Sequence, residues 1–249
     1  MIPLYFALAF AITWALQLPA VLALHGVIDG PPERYLALVG LGGFGPMAAA
    51  ILASRVEGSG VRALLRPLRT WRVGARWYLA ALALPGGIFV VAAGAYNLLG
   101  HSEPLLYPPT RAATLAAAVV FPIGEEIGWR GFALPRLRDR LGPLRASAVL
   151  GIVWTAWHVP MLALQEVAPW LYAVFVPFLV GGSVLFTWIY QHTRGSLLLA
   201  VLVHVGVHLN NPGHAMPGRW EPMGIHTVAY IVLAGVLVVA DPAAWRRRA

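Results

Sequence analysis

Apolar residues fill this chain in blocks of roughly span length, and polar residues collect in the short links between them. A helix of about 20 mostly apolar residues crosses about 30 Å of hydrocarbon. Read with that ruler, the pattern predicts eight spans at 2–24, 36–54, 77–99, 111–135, 146–165, 170–191, 196–210 and 224–240. The seventh is short and almost runs into the sixth. The first has no basic n-region and only Val21-Leu22-Ala23 as a cleavage-like triplet, so it is read as a retained helix rather than a signal peptide. Between the second and third blocks, Val61, Leu64, Leu65 and Leu68 predict a short amphipathic helix on the membrane surface. The link 212–223 is rich in Pro and Gly and reads as loop. No internal repeat marks a second domain, so residues 1–249 form one integral membrane domain, an all-α polytopic helix bundle.

Composition agrees with the pattern. Of the 249 residues, 59% are hydrophobic and 11% charged, against about 25% charged in soluble domains. Disorder, coiled coil and disulfide-stapled modules are excluded, and the absence of cysteine removes thiolate chemistry. The net charge of +8 rests on arginine alone, 18 residues with no lysine. Most of these arginines lie in short clusters between apolar blocks, which suits lipid headgroups rather than nucleic acid. Arg55, Arg62, Arg66, Arg69, Arg72 and Arg76 occupy one link, Arg136, Arg138, Arg140 and Arg145 another, Arg194 a third, and Arg246–Arg248 the C-terminus. The positive-inside bias therefore predicts both termini in the cytoplasm. Trp71, Trp77, Trp170, Trp188, Trp220 and Trp245 fall near helix ends, as an aromatic belt would.

The exceptions to this segregation carry the chemistry. Glu125, Glu126 and Arg130 lie in the fourth span, His158 in the fifth, and His204 and His208 in the seventh. A charge at mid-membrane costs about 2.5–3.5 kcal/mol on insertion scales, so adjacent glutamates imply partners and a purpose. Counted from the flanking arginines at about 1.5 Å per residue, Glu125, His158 and His204 reach similar depth. Glu126 and Arg130, spaced i and i+4, share a helix face and are expected to pair as a structural ion pair. Glu125 points about 140° away from Arg130 and remains for acid–base work. Gly124 and Gly128 form a small-xxx-small pair for close helix approach, and Pro135 is expected to end the helix. Trp154 and His158 share a face, where the indole would shield the imidazole. His204 and His208 are again i and i+4, able to bind a metal or contact one substrate group.

Together these residues resemble the CPBP family, the CAAX-protease and bacteriocin-processing (Abi) intramembrane proteases. That family carries EExxxR, FxxxH and HxxxN on successive core helices. Here they read Glu125-Glu126-Ile127-Gly128-Trp129-Arg130, Trp154-Thr155-Ala156-Trp157-His158 with Trp for Phe, and His204-Val205-Gly206-Val207-His208 with His for Asn. The resemblance covers about 111–211, the expected catalytic core. It implies hydrolysis of a peptide bond in a membrane-associated protein or peptide by a glutamate-activated water. Carried over, Glu125 is the base helped by His158, while His204 and His208 stabilise the oxyanion, and Glu126, Arg130 and Trp154 support the site. It implies no required cofactor as the favoured case. The alternative is Zn²⁺ held by Glu125, His158, His204 and His208.

Other chemistries fit less well. There is no HExxH motif and no pair of intramembrane aspartates, and Gly181-Gly182-Ser183 reads as helix packing. A proton-coupled transporter with a Glu/His relay is the main rival, although no two-fold internal symmetry supports it. A non-catalytic peptide-binding scaffold is the third reading. The arginine-only basic set points to a GC-rich bacterial genome, hence a bacterial cytoplasmic membrane, and the depth of Glu125, His158 and His204 places the site slightly toward the cytoplasmic side.

Overall fold

The first apolar block folds as one helix, α1 (Ile2–Leu24), with the limits its sequence predicts. The computed structural model describes residues 1–102, 112–210 and 222–246. It is 84% helical with no strand among the described residues, which makes the chain all-α. The second block is bent by 41° into α2 (Leu36–Gly42) and α3 (Gly45–Val56). Pro46, in the first turn of α3, has no N–H to continue the ladder of α2. The Gly42 carbonyl at the break instead accepts a 2.8 Å hydrogen bond from the Thr13 hydroxyl of α1.

The surface helix expected after α3 is present as α4 (Gly60–Leu65) followed by a 3-10 turn, Arg66–Arg69. Leu64 is buried, Leu65 and Leu68 pack against the core, and Arg62, Arg66 and Arg69 face outward. Next come α5 (Ala75–Leu98) and α6 (Ala112–Gly128). The predicted stop at Pro135 does not occur. A π-turn, Trp129–Ala133, leads straight into α7 (Leu134–Leu141). Pro135 falls in the first turn of the new segment, where a missing N–H is tolerated. Arg136 of α7 pairs with Glu57 beyond α3 and donates to the Phe132 carbonyl at 2.9 Å. Burial alone would raise the Glu57 carboxyl, but the Ser59 hydroxyl and Arg136 hold it below the usual carboxylate range.

The fifth block is two helices, α8 (Pro143–Trp157) and α9 (Val159–Leu164), broken at His158. The remaining helices are α10 (Pro169–His192), α11 (Leu197–Leu209) and α12 (Met223–Ala240). The expected loop 212–223 lies, up to residue 221, outside the described residues. By length and apolarity α1, α5, α10 and α12 can each cross a membrane, and the bent α2–α3 pair makes a fifth candidate. α11, at 13 residues, is only about 20 Å long.

α10 packs on α8 and α12, α1 on α3, and α11 on α5 and α6. The contact of α6 with α3 depends on glycine, as the small-xxx-small spacing predicted. A Cβ at Gly128 would lie 2.5 Å from the Pro46 Cβ and 2.6 Å from its backbone carbon, and one at Gly124 would lie 2.7 Å from the Phe44 ring. Backbone cannot move aside as a side-chain tip can. Gly128→Ala is therefore expected to destabilise the protein by about 1–3 kcal/mol through overpacking. Thermal melting in detergent measures this, and an unchanged midpoint would mean that α3 and α6 do not approach so closely.

Candidate active site

α6, the π-turn, α8 and α11 converge on one buried polar cluster. Glu125 is 4% exposed, Glu126 and Arg130 are 0%, and His204 is 2%. The i, i+4 pair forms as its spacing predicts, with Arg130 Nη1 donating to Glu126 Oε1 at 2.8 Å. The π-turn, a widening often found at functional sites, carries Arg130. Its guanidinium lies 4.6 Å over the Trp154 ring and 4.2 Å over that of Phe186. One carboxylate and two aromatic faces thus compensate the buried cation.

The same Glu126 Oε1 is 2.8 Å from Nδ1 of His204. Sequence spacing alone did not disclose this bond, because it joins residues on different helices. An ionised carboxylate only accepts, so Nδ1 of His204 is the donor, and the ring orientation is set from behind. Trp154, Phe186 and His208 stand edge-on to the His204 ring at 5.2, 5.5 and 4.6 Å. Glu126 therefore holds both Arg130 and His204, more than the ion pair expected of it.

Glu125 is not held by Arg130. Its Oε2 accepts from the Trp154 indole N–H at 2.8 Å. Trp154, expected only as a shield, touches the carboxylate directly. Glu125, His204 and His208 each offer a ligand atom, and these atoms lie within 4.8 Å of one another. The His158 ring centroid lies 5.8 Å from that of Trp154, and His158 is not in that group of three. Its Nδ1 is 2.8 Å from the Trp154 carbonyl. A carbonyl accepts only, so Nδ1 carries a proton and is the donor.

α1 supplies residues that the motif search passed over. The Trp157 indole donates to the Thr13 hydroxyl at 2.8 Å, and the Trp14 indole donates to the Trp157 carbonyl at 3.2 Å. These bonds fix the chain where α8 breaks and so hold His158. Tyr5 is fully buried, with its ring 5.8 Å from Trp129 and 4.9 Å from Phe132. Its hydroxyl, Glu126 Oε2 and Arg130 Nη2 have no hydrogen-bond partner among the described residues. Such unmet groups are rare in native interiors and call for a functional or solvent explanation. A tyrosine early in an apolar helix gives no sequence signal of this.

A carboxylate, two imidazoles on one helix and a third at a helix break form an arrangement suited to acid–base hydrolysis. Comparison with known proteins finds similar sequences. The family described as "Type II CAAX prenyl endopeptidase Rce1-like" matches residues 107–210, which hold all three motifs. A curated relative, CAAX prenyl protease 2 of Methanococcus maripaludis, is 27% identical over 156 residues, 59% of this chain and 54% of the relative. The chain thus spans about half the length of the curated relative it matches. The match over residues 107–210, which holds the Glu125, His158 and His204 motifs, and the curated relative together support membership of the CPBP family.

Proposed function

We propose that this chain is an intramembrane endopeptidase that hydrolyses a peptide bond of a membrane-associated protein or peptide. The observation that carries the proposal is the convergence of Glu125, His204 and His208 within 4.8 Å. In this reading a water beside Glu125 gives its proton to the carboxylate as its oxygen bonds to the scissile carbonyl carbon. His204 and His208 stabilise the oxyanion, each as an N–H donor in apolar surroundings where such bonds count for most. His204 donates from Nε2 when both ring nitrogens carry protons, a state in which the carboxylates of Glu125 and Glu126 together balance Arg130 and the imidazolium. Collapse breaks the C–N bond, and the proton held by Glu125 passes to the departing nitrogen. His158 assists as a proton acceptor through Nε2 when that nitrogen is unprotonated.

A metal is the second reading. One carboxylate and two imidazoles form a zinc donor set, and a carboxylate behind a ligating histidine is its usual support. Glu125, His204 and His208 would hold the ion, which would polarise the water and the carbonyl. As a ligand, however, Glu125 could no longer take the proton, and Glu126 is committed to Arg130 and His204. The metal-free reading is therefore the one adopted. A proton relay would string its groups along a file, and their gathering at one point favours hydrolysis over transport.

The test uses purified protein in detergent and membrane-anchored peptides. Fragments are expected from the parent and none from Glu125→Ala, while intact peptide from both would overturn the assignment. The proposal extends to topology, with eight spans in a bacterial cytoplasmic membrane and the arginine-rich links and both termini on the cytoplasmic side. Reporter fusions after Arg76 and after Ala249 are expected to read inside. An outside signal at either would exclude that orientation.

A further inference from the structure

Away from the glutamates, a second site stands at the arginine-rich side of the bundle. An open hollow of about 510 Å³ is lined by Arg69, Thr70, Trp71, Arg72 and Arg194, none of them acidic. Three arginines lining one depression give it a positive potential that favours an anion.

The hollow is held in shape by bonds from three elements. The Tyr78 hydroxyl of α5 donates to the Trp71 carbonyl at 2.6 Å. The Ser196 hydroxyl, at the N-cap of α11, donates to the Thr70 carbonyl at 2.6 Å. Arg194, in the turn between α10 and α11, donates from Nη2 to the Arg72 carbonyl, and the Arg72 guanidinium lies 5.0 Å over the Trp71 ring. Arg194 also sits at φ +55°, ahead of Gly195 at +74°. The left-handed region is cheap for glycine or asparagine and uncommon for a long side chain. A strained backbone position that keeps a guanidinium on this rim is an outlier of the kind that points to function.

Depth identifies the occupant. The hollow lies where α5 and α11 begin and α10 ends, beside Trp77 and Trp188, whose ring centroids are 5.1 Å apart. Amphipathic aromatics of this kind mark the headgroup level of a bilayer. Planar guanidinium donors match phosphate oxygens.

We propose that Arg69, Arg72 and Arg194 form a binding site for a phosphate-bearing anion, the phosphodiester headgroup of an anionic lipid. The experiment titrates purified protein in neutral detergent with short-chain phosphatidylglycerol and, separately, with inorganic phosphate, following the thermal midpoint. Saturable stabilisation by phosphatidylglycerol is expected. The double variant Arg69→Gln/Arg72→Gln should bind about tenfold more weakly, given the strength of charge-assisted hydrogen bonds. The charge-matched control Arg55→Gln/Arg62→Gln, altered at exposed positions of α3 and α4, should bind as the parent does. If the double variant does not fold, Arg69→Gln alone carries the comparison. Saturation by inorganic phosphate but not by the lipid keeps the phosphate chemistry and overturns the lipid as its source. Equal weakening in both double variants, or no saturation by either ligand, overturns the site.

Discussion

Glu126→Gln is expected to cost about 3–5 kcal/mol of stability as well as most of the activity, because it strands Arg130 as a buried charge without its counter-ion. Arg130 is 0% exposed, and among the described residues its one ion-pair partner is Glu126 Oε1. The aromatic faces of Trp154 and Phe186 remain but offer only a fraction of that compensation. His204 loses the carboxylate behind its ring in the same step, so the loss of activity has two causes. Glu125→Gln is the contrasting case. An amide oxygen can still accept from the Trp154 indole, so the fold is kept, while a base can no longer take a proton from water. Thermal melting and peptide cleavage measured on both variants decide the matter. Equal stability of the two would refute the structural role given to Glu126.

Position 208 separates the two chemistries left in play. As a donor to the oxyanion, His208 can be replaced by asparagine, whose amide donates from a similar place. Loss of one such donor typically costs about 10²–10³ in rate. His208→Ala is thus expected to be nearly inactive and His208→Asn to keep much of the activity, with no stoichiometric metal in the parent protein. An amide is a poor replacement for an imidazole on zinc. One zinc per chain by elemental analysis, lost together with activity in His208→Asn, would sink the metal-free reading.

What the sequence made legible follows from which interactions are local. The ends of α1, the Glu126–Arg130 pair and the glycine contact of α6 with α3 depend on helical spacing, and they stand where spacing put them. α11 begins and ends one residue inside its predicted block. Long-range bonds could not be read in that way. The Trp154 indole on Glu125 joins residues 29 apart and the Glu126–His204 bond residues 78 apart. The π-turn escaped notice because a widened turn leaves no mark on hydrophobic periodicity, and it carried the helix past Pro135. The break at His158 was concealed by the continuous apolarity of α8 and α9, although Pro160 stands two residues beyond it.

The shortness of α11 bears on how the proposed hydrolase would obtain its second reactant inside a lipid film. Its 13 residues reach about 20 Å, whereas the hydrocarbon layer is about 30 Å thick. Non-helical backbone at membrane depth is tolerated only where protein buries it or an aqueous cavity wets it. A helix shorter than the hydrocarbon layer is matched by a locally thinned bilayer. His204 and His208 occupy its C-terminal half. In the proposed hydrolysis, the helix that carries them would therefore shorten the distance over which bulk solvent must penetrate to resupply each turnover.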